Sequence, residues 1–219
     1  MHYRHVAWSL AAFLLGASAS AATAQGLRPV QERPTIGLLA GINLADVSDS
    51  DFDGADKRTG LIGGVFVTFH ITPVLGIQPE LLYSQKGVSF NSSDVDATLK
   101  LDYIDIPVLL RFNIPTDGAQ VRPFFVAGPA FGIQVNCGIK ASSDGMSGSV
   151  DCDRIDDESG IDFNTKTFDF SGVLGAGLDF NIGQQTLMLG ARYEHGFSEV
   201  FDGATAKNRT WSIVAGFGF

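Results

Sequence analysis

Two stretches near the middle of the chain, residues 77–84 and 103–112, alternate between two kinds of side chain. Every second position is aliphatic, aromatic or proline, and the positions between them carry most of the polar groups. Successive side chains of a β-strand point to opposite faces, so this period of two predicts two strands whose faces meet different surroundings. The pattern alone fits both a soluble barrel with its apolar face inside and a membrane barrel with its apolar face in lipid.

Six further runs alternate in the same way, which gives eight predicted strands: 35–44, 60–71, the two above, 121–135, 167–180, 186–197 and 209–219. Three connections, 72–74, 113–120 and 181–185, are short and contain Pro or Gly turn residues. The other connections are longer and largely acidic, at 45–59, 88–97, 136–166 and 198–208. Short turns at one end and long loops at the other are typical of a transmembrane β-barrel.

The charged side chains of the predicted strands fall on the face opposite the aliphatic one. An eight-stranded barrel has an interior just wide enough for side chains, so we expect small residues and a few charges inside and the bulky aromatics outside. On this arrangement the lipid-facing residues of the central hairpin are Leu81, Tyr83, Ile106, Val108 and Leu110. The predicted interior ionic network consists of Glu80, Lys86, Asp105, Arg111, Asp169, Asp179, Arg192 and Glu194.

Buried charges are costly unless they are paired, which predicts pairing of Glu80 and Glu194 with Arg111 and Arg192. Mixed-sign groups of this kind are the usual filling of small barrels. We therefore expect a rigid polar filling rather than a catalytic or conducting site.

Composition favours the membrane arrangement. The 219 residues are 45% hydrophobic and 18% charged, with 17 Phe and 26 Gly. No stretch reaches the ~18 apolar residues of a membrane helix, so the predicted spanning elements are strands. The net charge is −9 and no basic stripe is present, which excludes nucleic-acid binding as a function.

The N-terminus is predicted to be a signal peptide, residues 1–24. Arg4 precedes a short apolar stretch, 6–15, and Ala22-Thr23-Ala24 is a small-x-small cleavage pattern before Gln25. The alternative, a short helix packed on the fold, lacks an amphipathic period. Cleavage of the signal peptide would remove Arg4 and no acidic residue, so the formal net charge would change from −9 to −10. Residues 25–33 are a predicted periplasmic lead-in, and 34–219 the barrel domain.

The chain has two cysteines, Cys137 and Cys152. An even count in an exported chain predicts one disulfide, with two free thiols as the alternative. The bridge would close a loop of ~15 residues and contribute about 3 kcal/mol if unstrained.

The C-terminal run RTWSIVAGFGF and the central hairpin carry a family resemblance. The run has alternating apolar residues back from a terminal Phe, and it resembles the last strand of bacterial outer-membrane β-barrels. Residues 79–87, 101–110 and 125–129 resemble the outer-membrane protein β-barrel domain family, also labelled porin-family or PorT-like. The C-terminal assembly signal implied by this resemblance consists of Trp211, Ile213, Ala215, Phe217 and Phe219.

The resemblance implies an all-β fold, an eight-stranded antiparallel up-and-down transmembrane β-barrel in the bacterial outer membrane, with both ends periplasmic. Expected partners are outer-membrane lipid and lipopolysaccharide, and the barrel assembly machinery during biogenesis. We expect a monomer without cofactors. Most members of the family have no assigned activity.

Two patterns suggest chemistry. Asp49, Asp51 and Asp53 have the spacing of a calcium loop, but Gly60 stands where the bidentate Glu is expected, so a solvated acidic loop is the simpler interpretation. The acidic residues that flank Cys152, at 151–158, could likewise hold a cation that bridges lipopolysaccharide.

A lipid-modifying hydrolase is a further alternative, since His195 and Ser198 supply a base and a nucleophile beside Glu194. Alternation along the strand places His195 on the outer face and Glu194 on the inner face, which argues against an enzyme. We expect a structural or surface-interaction role, with a narrow pore for small solutes or a lipid-modifying hydrolase as alternatives.

Overall fold

The computed structural model describes residues 33–48, 56–91, 96–116, 120–143, 146–152, 167–198 and 207–219. Strands occupy most of these residues: β1 (Thr35–Ser48), β2 (Asp56–His70), β3 (Leu75–Asn91), β4 (Asp96–Asn113), β5 (Val121–Ser143), β6 (Met146–Asp151), β7 (Phe168–Ile182), β8 (Gln185–Gly196) and β9 (Lys207–Gly218). The predicted signal peptide and the calcium-type residues Asp49, Asp51 and Asp53 lie outside the described residues. Among the described residues, no helix is long and apolar enough to cross a membrane.

Eight of the strands close into an antiparallel barrel, as predicted. Neighbours in sequence pair with one another, β5 pairs with β7, and β1 pairs with β9 to complete the ring. The remaining strand, β6, pairs with the outer part of β5 and stands outside the ring. Closure leaves the barrel itself without a free edge, which is what a sheet needs in lipid, where unpaired backbone groups are very costly.

The strands extend further into the predicted loops than the sequence indicated. β4 begins at Asp96 and β5 runs to Ser143, so much of the predicted loops 88–97 and 136–166 is strand. Cross-strand hydrogen bonds do not require lipid, and a sheet beyond the membrane can be wetted on both faces. Its side chains then lose the alternation on which the sequence prediction depended.

The lipid-facing residues are those that parity predicted. Leu81, Val108 and Leu110 are exposed on the outer surface, Leu110 by 55%. The residues between them, such as Glu80, Leu82 and Leu109, are buried inside. The hydrophobic face of this barrel is therefore its outer face.

The expectation that bulky aromatics stay outside is wrong. Phe66, Phe124 and Tyr103 are buried in the barrel. Glycines make the room, since a Cβ on Gly37 would run into the Phe66 ring and a Cβ on Gly177 into the Phe124 ring. The interior glycines thus serve to seat large rings rather than only to relieve crowding.

Candidate functional site

The half of the interior nearer the chain termini, which is predicted to face the periplasm, contains two ion pairs. We call this half the periplasmic layer (Glu80, Arg192, Arg111, Asp179 and Gln78). Arg111 donates from Nη2 to both carboxylate oxygens of Asp179, at 2.6 Å each. It also donates to Gln78 Oε1 at 2.9 Å, and its guanidinium lies 3.8 Å from the ring centroid of Phe124. A charge-assisted contact of this kind is among the strongest hydrogen bonds in proteins.

The second pair of this layer joins Arg192 to Glu80 through two parallel hydrogen bonds of 2.6 and 2.9 Å. Gln78 Nε2 donates to Glu80 Oε1 at 2.6 Å, and Thr68 donates to Gln78 Oε1 at 3.0 Å. The two pairs are therefore linked through Gln78, and their formal charges cancel.

Only part of the predicted pairing is present. Glu80 pairs with Arg192, but Arg111 pairs with Asp179, and Glu194 pairs with Lys86 instead of an arginine. Arg111 lies near the periplasmic end of β4 and Glu194 near the opposite end of β8, so these two groups are at different depths. Parity identifies the face of a residue but not its depth in the barrel.

The opposite half, which is predicted to face outside the cell, is organised differently, and we call it the extracellular layer (Lys86, Asp105, Asp169, Glu194 and Asn208). Lys86 Nζ lies 2.7 Å from Glu194 Oε1 and 3.0 Å from Asp105 Oδ2. Asn208 donates to Asp169 Oδ2 at 2.7 Å. Two carboxylates therefore contact one ammonium group, and a third carboxylate, that of Asp169, is held by Asn208.

Several acceptors of the extracellular layer have no hydrogen-bond donor. Neither carboxylate oxygen of Asp105 has a donor, because its contact with Lys86 is an ion pair without hydrogen-bond alignment. Asp169 Oδ1 and Asn208 Oδ1 also lack donors. Asp105 and Asp169 are paired on either side of Gly132, which places them close together. This layer has an excess of buried negative groups that the periplasmic layer lacks.

Side chains fill the interior along the described strands. A cavity of about 30 Å³ remains near the periplasmic end, beside Arg111, Arg122 and His70. This volume is roughly that of one water molecule in the liquid. The arrangement is suited to a packed barrel more than to an open channel.

The three residues of the possible hydrolase have separate partners. Ser198 Oγ accepts a hydrogen bond from the Phe170 backbone at 3.0 Å. His195 Nδ1 lies 3.4 Å from the Tyr193 hydroxyl, and Glu194 accepts from Lys86 and from Ser171. The serine, the base and the acid therefore do not form the chain of hydrogen bonds that a catalytic triad needs.

Cys137 and Cys152 form a disulfide, with their Cα atoms 5.5 Å apart. The bridge joins β5 to the end of β6, just below the paired residues Gly138 and Asp151. Among the described residues, no group of three or more His, Cys, Asp or Glu side chains is arranged to hold a metal ion.

The C-terminal strand presents its predicted apolar residues outward. Trp211, Ile213, Phe217 and Phe219 are all exposed, Ile213 by 70%. The same outward row continues to Arg209 and Lys207, which are not among the predicted site residues. The signal was present in the spacing, since 207 and 209 have the parity of Trp211.

The closed barrel, with an apolar outer face and an interior that combines paired charges with buried apolar side chains, defines an integral membrane protein. The chain belongs to the outer membrane protein β-barrel domain family, which it matches over residues 23–202. It is therefore a protein of the bacterial outer membrane.

Solved barrels have a similar fold. Neisserial surface protein A aligns with a TM-score of 0.50 and 14% identity, covering 85% of this chain and 98% of that chain. Ail of Yersinia pestis, solved with the heparin analogue sucrose octasulfate, has a TM-score of 0.43 and 20% identity, with 86% and 100% covered. The outer membrane enzyme PagL has a TM-score of 0.40 and 10% identity, with 82% and 97% covered. At these identities the likeness shows the fold alone. No curated protein matches the chain.

Proposed function

We propose that this protein is a structural barrel that also presents a rigid contact surface outside the cell. The observation that carries the proposal is the length of its strands on one side. β5 has 23 residues and β4 has 18, whereas β8 and β9 have 12 each. A tilted strand needs ~9–11 residues to cross the membrane, so β5 exceeds the membrane by roughly 40 Å along its length.

The projecting part is a sheet of β3, β4, β5 and β6, held by a regular hairpin. Six residue pairs join β5 and β6, from Gly138–Asp151 to Ser143–Met146. The disulfide at the base fixes their register. A surface that is already ordered loses less conformational entropy when a partner binds, which favours a binding role for this hairpin.

The chemistry of the partner follows from charge. Residues 151–158 include five carboxylates and one arginine, and they follow β6 directly in the chain. An acidic segment attracts cationic groups and repels a second copy of the same chain. The proposed partner is therefore a basic surface or a bridging cation, and the protein acts as a monomer.

Shortening the hairpin tests the proposal. Cells that lack the protein would be complemented with the wild type or with a variant in which residues 138–151 are replaced by a two-residue turn. Resistance to SDS with EDTA reports the structural role, and cell adherence and aggregation report the surface role. We expect the shortened barrel to restore resistance but not adherence. Equal adherence of the two strains would contradict a binding role for the hairpin.

Two other functions are testable in parallel. A narrow pore predicts conductance steps in planar bilayers, and the filled interior favours conductance near background. A lipid-modifying hydrolase predicts that lipid A changes between cells that express the wild type and cells that express Ser198→Ala. The separate partners of Ser198, His195 and Glu194 favour identical lipid A profiles.

A further inference from the structure

The outer surface of the barrel has an open apolar groove, with a volume of about 720 Å³. Its floor consists of small lipid-facing residues on neighbouring strands, Ala127, Ala176 and Ala191. Ala176 is paired with Ala191 on one side and with Phe125 on the other. Larger side chains form the walls: Phe112, Phe125, Leu174, Tyr193 and Trp211. The volume is typical of a site for a small molecule, about 300–1,000 Å³.

Cationic side chains lie directly above one end of this groove. Arg209 is exposed and precedes Trp211 by two residues, so both side chains point outward from β9. It is paired across the sheet with His195 on β8 and with Asp46 on β1. Lys207, two residues further out, has the same parity. Trp211 and Tyr193 pack at 4.9 Å just below, as in the aromatic girdle that marks the membrane interface.

The patch extends to β2, and its charge is positive. Lys57 is exposed one residue beyond Arg58, which pairs with Ala45 on β1. Lys57, Lys207 and Arg209 with Asp46 have a formal charge of +2 when His195 is neutral. The whole chain has a charge of −9, so this local excess runs against the rest of the protein.

The other side of the outer rim is different. There, Phe131 and Ile133 on β5 and Phe168 and Phe170 on β7 are exposed and apolar, and within the described strands no basic side chain stands among these four. The cationic side chains and the groove therefore lie on the same side of the barrel, and a ligand that uses both should bind on that side.

We propose that this face binds one phosphorylated lipid of the outer leaflet. Its phosphate lies against Arg209 and Lys207, where a guanidinium can donate two hydrogen bonds to one phosphate, and His195 borders the same position. One acyl chain lies on the alanine floor between Tyr193, Trp211 and Phe125. The occupant is lipid because the groove faces the hydrocarbon of the membrane, and it is anionic because its head meets the cations. This site is independent of the contact role proposed for the hairpin.

Native mass spectrometry of the purified full-length protein in detergent tests the proposal. The probe is diphosphorylated lipid A, with the same lipid after dephosphorylation as the head-group comparison. The head-group variant is Arg209→Ala with Lys207→Ala, and its control is Lys140→Ala, an exposed cation on the outer part of β5. The groove variant is Ala176→Phe, and its control is Val65→Phe, an exposed outward residue of β2 that lines neither this groove nor the smaller one around Ala40. Unheated gel mobility confirms that each variant is folded.

We expect the wild type to retain one diphosphorylated lipid. Loss of charge-assisted hydrogen bonds predicts at least about tenfold weaker retention in the head-group variant and for the dephosphorylated lipid. Ala176→Phe should weaken retention of the phosphorylated lipid, whereas both controls should retain it fully. Equal retention by the head-group variant and Lys140→Ala would overturn the proposal. So would unchanged retention by Ala176→Phe, which would indicate an anion site without a chain groove, or a dimer that disappears in that variant, which would indicate a second copy as the occupant.

Discussion

The two halves of the barrel interior have the same strand pattern but a different balance of positive and negative side chains. In the periplasmic layer, two arginines meet two carboxylates through pairs of short hydrogen bonds, and Gln78 links them. In the extracellular layer, one lysine contacts two carboxylates, Asn208 holds a third, and several oxygens lack donors. The difference teaches that burial on the inner face does not by itself make a charge part of a stable pair. The periplasmic layer is suited to holding the barrel together, and the extracellular layer contributes less to that task.

The largest expected effect is the loss of Arg111. Arg111→Met leaves the buried Asp179 carboxylate with only the longer 3.8 Å ion pair to the partly exposed Arg122. Breaking a buried pair typically costs about 3–5 kcal/mol, and the remaining pair with Arg122 places the expected loss at the lower end of that range. Urea unfolding of the barrel in lipid vesicles, followed by gel mobility, measures the change. The double variant Arg111→Met with Asp179→Leu should recover most of the loss, because it removes the stranded charge. A single variant as stable as the wild type would show that the periplasmic layer does not stabilise the fold.

A smaller loss is expected from the glycine that seats an aromatic ring of the same layer. Gly177→Val inserts atoms where the Phe124 ring and the backbone oxygen of Leu189 lie, and overpacking of this kind costs about 1–3 kcal/mol or more. Ala215→Val, on the exposed outer face, is the matched control and should leave the urea midpoint unchanged. If the two variants unfold together, the ring moves freely and the interior is looser than its packing indicates.

The smallest effect, and the opposite sign, is expected in the extracellular layer. Asp105→Asn removes one of three like charges and leaves Lys86 paired with Glu194, so the free energy of unfolding should rise or stay within about 1 kcal/mol. Asp179→Asn is the isosteric comparison and should destabilise, because Arg111 loses its charged partner. The same urea unfolding experiment, applied to both variants, shows which layer stabilises the barrel more. A large loss for Asp105→Asn would mean that both layers stabilise the barrel to a similar degree.

Much of the barrel was predictable from local pattern. The outward position of Leu81, Val108 and Leu110 follows from alternation, because lipid selects one face of every strand. The Gly183 turn between β7 and β8 was also visible, and its positive φ of 66° suits glycine at a tight hairpin turn. The projecting part of β5 was not predictable, since Gly138 to Ser143 have no regular alternation once both faces meet water.

The partners of the interior charges depended on depth and closure, which alternation does not encode. Arg111 was assigned to the inner face, but its match with Asp179 arises only when β4 and β7 face each other across the closed barrel. Likewise, the patch of Arg209, His195 and Lys57 joins the consecutive strands β8 and β9 to β2, which lies near the start of the barrel domain. The seat of Phe124 beside Gly177 was unforeseen for the same reason.

The sequence alone determined which face of each strand meets lipid, because alternation with a period of two is a local property. Lipid on one face and the barrel interior on the other select different side chains at alternate positions. The sequence also determined the class of protein, since the alternating runs, the turn pattern and the terminal aromatic strand are all local. The tertiary structure decided which charges are paired, which carboxylates are left in excess, and where cations and a groove coincide on the outer surface. Those outcomes depend on strand register and barrel closure, which bring together residues more than a hundred positions apart.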